Sequence, residues 1–307
     1  MRSLRYRRPK SMDVLIIGAT GYVGTAVDEA LVARGHRTVG VARSDVARDI
    51  LRARGTTVAQ GDVSKPQSLA AAVRAADAVV YSVSVTDANR WTVDSNALRT
   101  IRKTLAGTEK TFAYVSDAWI YGPTRGTVAT EDLLPMPLPL VARRLELEAE
   151  TLSMTKVGIR SLIVRPGIAY GRGGGIPTMF VHSARERGAA TIVGDGQNHW
   201  ATIHVADLGR LIALALECGR PGRAYNAVCD DQFRVSEIAE AASRGAGAGG
   251  ATVTVPPEIM GQYGECLALD QTISAERAKS DLGWTTREAT IVEDLECGSY
   301  LAPPIAV

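Results

Sequence analysis

The chain has 307 residues, 46% of them hydrophobic and 22% charged, close to the average for globular proteins and enough chain to bury a core without staples. Its 35 basic and 33 acidic side chains give a formal net charge of +2, so nucleic acid and membrane surfaces are not expected as partners. No apolar run has the length of a membrane-spanning helix and none has the layout of a secretion signal, which points to a cytoplasmic protein.

Residues 1–11 carry Arg2, Arg5, Arg7, Arg8 and Lys10 and are expected to form a disordered basic extension, with the fold starting at Met12. From there, short apolar runs alternate with amphipathic stretches. Val14–Gly18, Thr38–Ala42, Thr56–Ala59, Ala78–Val83, Phe112–Ser116 and Arg160–Val164 read as buried strands. Tyr22–Ala33, Ser68–Ala75, Thr92–Leu105 and Val141–Met154 read as helices. Such alternation predicts βαβ units and a parallel sheet. Past Pro166 the pattern loosens. Gly171, Gly173, Gly174 and Gly175 crowd one loop. Helices are expected at Pro177–Arg187, Ala206–Cys218 and Val235–Arg244, and a strand at Ala251–Val255. The cysteines Cys218, Cys229, Cys266 and Cys297 form no C-x-x-C pair and no zinc spacing, so they read as reduced thiols and no metal site is expected.

The first strand runs into Gly18-Ala19-Thr20-Gly21-Tyr22-Val23-Gly24, which opens the first helix. Glycines there permit a tight turn and close approach of backbone to a pyrophosphate, and the helix end offers free N–H groups. With strand before and helix after, the segment reads as a dinucleotide-binding loop; Gly18, Thr20, Gly21, Tyr22, Val23 and Gly24 are its cofactor-binding candidates. The expected fold is α/β, a Rossmann-type doubly wound parallel sheet with a smaller C-terminal substrate-binding lobe. Residues 12–170 and 203–228 are assigned to the dinucleotide-binding domain, and 171–202 and 229–307 to the lobe. An acid at the end of the second strand would hold the ribose hydroxyls of NAD. Arg43 stands there instead, followed by the Ser44 hydroxyl. A guanidinium fits a 2′-phosphate, which favours NADP over NAD; the alternative is an arginine on a solvated loop. Asp62 and Val63, after the third strand, are placed to meet the adenine, unless Asp62 simply caps the next helix. Ser82, ending the fourth strand, joins the cofactor set.

These motifs, with several further ones, resemble the extended or atypical short-chain dehydrogenase/reductases, the group that contains the nucleotide-sugar epimerases and dehydratases. The likeness runs from Met12 to about Trp284. It includes GATGYVG, Gly61-Asp62-Val63, Asn96, Tyr114 through Gly122, Arg165-Pro166 through Tyr170-Gly171, Gly194-Asp195-Gly196 through Leu208, Tyr225-Asn226 and Leu282-Gly283-Trp284. The resemblance implies that the backbone at Pro166 lies beside a nicotinamide. It also implies a small-molecule substrate, and homodimerisation through helices such as Thr92–Leu105 and Val141–Met154.

The resemblance further implies a catalytic Ser, Tyr and Lys, the last two four residues apart on one helix so that both face the nicotinamide. With Glu148 matched to a family glutamate, Arg144 falls at the Lys position, Leu140 at the Tyr position and Asp117 at the Ser position, next to Ser116. Leu140 cannot move a proton, and Arg144 can bind ribose or an anion but relays protons poorly. Arg144 could equally form a surface pair with Glu148. Asp117 serves as acid or base if apolar neighbours raise its pKa. Ser116, Tyr121, Arg144 and His199 complete the catalytic candidates; Tyr170 and His182 are weaker ones, His204 reads as structural, and Glu131-Asp132 marks a polar loop. The leading expectation is an NADPH-dependent reductase of a small carbonyl metabolite with a non-standard proton donor. The alternatives are a redox-neutral isomerase, cyclase, epimerase or dehydratase, and a non-catalytic NADP sensor.

Overall fold

The computed structural model describes residues 11–83 and 89–301, so the basic run at residues 1–10 and the last residues of the expected lobe, 302–307, lie outside the described residues. Seven strands form one sheet: β1 (Asp13–Ile17), β2 (Arg37–Ala42), β3 (Thr57–Gln60), β4 (Ala78–Tyr81), β5 (Thr111–Val115), β6 (Arg160–Pro166) and β7 (Ala224–Ala227). Their order is β7-β6-β5-β4-β1-β2-β3, and every neighbouring pair is parallel. The central strands bury both faces, which is why β1 and β4 read as unbroken Val, Leu, Ile and Ala runs and do not alternate with polar residues. The strand order reverses between β1 and β4. That switch point opens a crevice at the strands' carboxyl ends, where an α/β sheet takes its ligand.

The helices are α1 (Tyr22–Ala33), α2 (Asp45–Ala53), α3 (Ala70–Ala75), α4 (Arg90–Leu105), α5 (Arg144–Ser153), α6 (Thr178–Arg187), α7 (Val205–Cys218), α8 (Val235–Gly245), α9 (Gly261–Leu267), α10 (Glu276–Leu282) and α11 (Ile291–Cys297). α1 packs against α7, and the two approach so closely that a Cβ on Gly209 would stand 2.4 Å from the Ala26 carbonyl oxygen. α9, α10 and α11 were not expected from the sequence, and two helices of the first half also differ from that reading. α2 has no counterpart in it because the segment is short and charge-rich, with Asp45, Arg48, Asp49 and Arg52, and buries only Leu51. α5 begins at Arg144 and not at Val141. Pro135, Pro137 and Pro139 hold the approach extended, Val141–Arg143 form turns, and no side chain caps the helix start.

Beyond β6 the chain steps off the main sheet. Ile168–Gly171 pairs parallel with Thr202–His204 and antiparallel with Gly174–Gly175. Ile203 and His204, expected to return to the main sheet, pair with Ala169 and Tyr170 here; α7 and β7, which follow, do return. Gly167 allows the departure, since a Cβ there would sit 2.3 Å from the Ala201 carbonyl oxygen. Ala190–Val193 and Thr252–Val255 form a further parallel pair, covered by α6 and α8. Among the described residues no helix is long and apolar enough to cross a membrane, and no His, Cys, Asp and Glu cluster could hold a metal.

Candidate functional site

The glycine loop closes the end of β1. Gly18 has φ +99° and lies so near the Ser82 backbone that a Cβ would meet the Ser82 carbonyl oxygen at 2.8 Å. The Gly21 N–H donates to the Gly18 carbonyl at 3.0 Å, and Gly21 precedes α1 with no side-chain cap. The N–H groups of the first turn of α1, beyond Thr20, are therefore left to the loop's mouth, the arrangement that anions favour. Gly24 packs hardest: a Cβ would fall 2.0 Å from the Gly18 carbonyl oxygen. Val23 is half-buried, and the Tyr22 hydroxyl donates to the Gly171 carbonyl at 2.7 Å, tying α1 to the glycine-rich hairpin.

The other cofactor candidates sit around this loop. Arg43 is exposed at the end of β2. The Ser44 hydroxyl is already engaged, accepting from the Ala47 N–H at 3.2 Å as the cap of α2. Asp62 does not cap a helix: its carboxylate accepts from the Ser64 hydroxyl and N–H in a tight turn, and these bonds hold its pKa down. Val63 packs half-buried against the apolar core, and Ser82 donates its N–H to the Ile17 carbonyl at 3.0 Å. These groups line the carboxyl ends of β1 to β4, as an extended dinucleotide requires, and the uncapped α1 start suits a pyrophosphate.

Next to the loop, Tyr22, Val23, Asp117, Trp119, Pro166, Ile176 and Gln271 help enclose a cavity of about 280 Å³. Asp117 ends the turn after β5. One carboxylate oxygen accepts from the Trp119 N–H at 2.8 Å, and the other stands 4.0 Å from Arg144 Nε. Burial lifts the Asp117 carboxyl above the ordinary carboxylate range, against the opposing pull of Arg144 and the Trp119 N–H. Arg144 donates from Nη1 to the Tyr114 hydroxyl at 3.1 Å, and its Nε has no hydrogen-bond partner. Burial opposes the arginine's charge, but Tyr114, Asp117 and Asp94 together keep it a cation.

The remaining candidates lie elsewhere. Tyr121 is 1% exposed and does not reach the cavity; its hydroxyl donates to Asn226 Oδ1 and accepts from Arg165 Nη1, both at 2.8 Å. Burial pushes its phenol up to about 12, and with both bonds satisfied inside the core it has no route to a substrate. Ser116 is buried, with its hydroxyl unpartnered. His199 is not in a loop. It pairs with Arg234 in a short antiparallel ladder, its Nδ1 lies 2.9 Å from Asp270, and it does not line the cavity. Glu148 does not pair with Arg144; it is buried and held by Arg165 through two bonds of 3.1 and 2.6 Å. Leu140 lies in the turn before α5, and Arg90 donates to its carbonyl.

Sequence reasoning missed Tyr114 and Gln271. Tyr114, 1% exposed and raised to about 12 by burial, positions Arg144 and stacks on Tyr81, whose hydroxyl donates to Asp94 at 2.5 Å. Gln271 donates its amide to the Ala118 and Gly122 carbonyls and so fixes the turn that carries Asp117. A tyrosine ending a buried strand was the available signal for Tyr114, since a buried hydroxyl needs a partner; Gln271 left none.

Sheet order, switch point and glycine loop define a dinucleotide-binding α/β protein. The chain belongs to the NAD dependent epimerase/dehydratase family, whose profile matches residues 14–227. It is 28% identical over 304 residues to an uncharacterized protein of Schizosaccharomyces pombe, covering 94% of this chain and 100% of that one. A 2-alkyl-3-oxoalkanoate reductase of Stenotrophomonas maltophilia is 26% identical over 231 residues, 69% of this chain and 68% of its own length. Among solved structures, a UDP-glucose 4-epimerase of Thermotoga maritima superimposes with a TM-score of 0.78 at 19% identity, covering 94% of this chain and 98% of that chain.

Proposed function

We propose that the protein is an NADP(H)-dependent reductase of small carbonyl compounds in which Asp117 delivers the proton. The carrying observation is the position of Asp117, in a cavity wall beside the glycine loop with its carboxyl lifted by burial, in a chain with leucine at the tyrosine position and arginine at the lysine position. The bound cofactor supplies the hydride. Asp117 holds a proton at the oxygen not fixed by Trp119 and gives it to the carbonyl oxygen. Arg144, 4.0 Å away and positioned by Tyr114, stabilises the carboxylate left behind. The cavity walls of Trp119, Ile168 and Ile176 keep water from competing for the proton. Arg43, an exposed cation at the end of β2, favours NADP over NAD.

The loss of the tyrosine also motivates a redox-neutral catalyst on the same fold. One assay separates the readings. The purified protein is given NADPH or NADH with a panel of carbonyl compounds, and cofactor absorbance and product are followed together. Stoichiometric oxidation, faster with NADPH, is the expected result. Product without net oxidation would replace the reductase by the redox-neutral enzyme. Tight cofactor binding with no product from any compound would leave a sensor.

A further inference from the structure

The reductase reading names a reaction but not what enters the cavity. We infer that the substrate is an uncharged carbonyl compound with an apolar tail, seated against Trp119, Ile168 and Ile176 and running out over Tyr263; the inference rests on the reductase reading. Among the described residues lining the cavity, none is a lysine, arginine or histidine, and Asp117 is the one ionisable group besides Tyr22, whose hydroxyl is spent on Gly171. The Gln271 amide is likewise spent, on the Ala118 and Gly122 carbonyls. Among the described residues the cavity thus offers one free polar side-chain handle, a carboxyl, within apolar walls. A diphosphate or a carboxylate entering it would lose its hydration, meet no cation on the wall and face Asp117. A neutral carbonyl loses little, and it takes its hydrogen bond from the protonated carboxyl.

The nearby cations among the described residues have partners, and the unpaired Nε of Arg144 faces Asp117 and does not line the cavity. Arg144 bonds Tyr114, Arg90 donates to the Leu140 carbonyl and lies over Trp91, and Arg172 pairs with Glu29. The apolar wall also continues outward. The Trp119 ring meets Tyr263 of α9 edge-on, centroids 6.0 Å apart, and Tyr263 is 36% exposed beside Met260 at 39% and Ile259 at 69%. Residues this apolar and this exposed at a cavity's rim are a surface for a hydrocarbon chain. The cavity's 280 Å³ is at the small end for ligand sites, and the cofactor candidates Tyr22, Val23 and Pro166 line part of it, so a long tail has to leave over that rim.

The test assays the protein with saturating NADPH on methyl ketones from butanone to octanone, on pyruvate and on UDP-glucose. kcat/KM is expected to rise about fourfold for each added methylene as the tail covers the wall, with pyruvate and UDP-glucose far below octanone. Tyr263→Ala, at a half-exposed position that tolerates truncation, should flatten the long end of that series. A flat series, or pyruvate or UDP-glucose matching the best ketone, overturns the inference and leaves the reductase intact. If no compound is reduced, the reductase reading falls, and calorimetry on the NADP-bound protein decides the inference alone. Octanone binding without UDP-glucose binding upholds it; UDP-glucose binding, or neither, overturns it.

Discussion

Asp117 owes its chemistry to the way the chain turns after β5. One oxygen caps the turn through the Trp119 N–H, so the carboxyl is fixed in place, while the other oxygen is free and partly desolvated beside Arg144. Asp117→Asn keeps the size and removes the proton, and turnover should fall by roughly 10²–10⁴-fold at unchanged cofactor affinity. The pH profile carries a sign as well. Because burial raises this carboxyl, its acid form survives above the free aspartate value of about 3.9, and kcat/KM for reduction should decline as pH rises through the raised value. Stopped or steady-state rates across pH check this; a limb that persists in Asp117→Asn would belong to another group. Asp117 was legible in the sequence by counting back from Tyr121-Gly122. Its partners were not. Tyr114 reaches Arg144 across 30 positions of sequence, and His199 meets Asp270 across 71, pairings that only the folded chain creates.

The glycine loop and α1 show what local pattern can and cannot specify. Strand, glycines and helix were read in register because the loop's geometry depends on residues adjacent in sequence. The three glycines nonetheless have different duties, which packing alone reveals. Gly21 has an ordinary φ of −76° and open space apart from the Gly18 carbonyl at 3.2 Å, whereas Gly24 sits against that carbonyl at 2.0 Å. Gly21→Val should therefore fold and lose dinucleotide affinity. Gly24→Ala should instead push α1 off the loop and cost about 1–3 kcal/mol of stability. Thermal melts and cofactor calorimetry on both variants separate the duties; equal melting temperatures would contradict the assignment. α2 escaped the sequence reading because it is short, charge-rich and buries only Leu51, and the start of α5 was misplaced because periodicity does not reveal the turns at Val141–Arg143 or the uncapped helix start.

Over the molecule as a whole, a buried polar chain joins helix to sheet. Glu148 of α5 holds Arg165 of β6, Arg165 reaches the Tyr121 hydroxyl, and Tyr121 reaches Asn226 of β7. Arg165→Ala would leave Glu148, whose side chain is 4% exposed, buried without its partner, a defect that costs about 3–5 kcal/mol. Urea unfolding should register that loss, and Arg165→Lys should recover only part of it because a lysine cannot make the two-point contact. The sequence reading singled out Glu148, Tyr121, Arg165 and Asn226 as motif residues, but their bonds to one another arise only when β6 and β7 become neighbours.

The bond from Tyr22 to the Gly171 carbonyl spans 149 positions. A ribosome delivers the glycine loop early, but the buttress that anchors the first turn of α1 arrives only when the hairpin at Gly171–Gly175 emerges, and α7, the helix that covers α1, arrives later still. Until then the side of α1 that α7 covers, at Ala26, has no cover beyond what β1 and β2 give the helix, though Ala26 is fully buried in the finished protein. The nucleotide cleft is encoded first and completed last, so a nascent chain must shield that face for most of its synthesis.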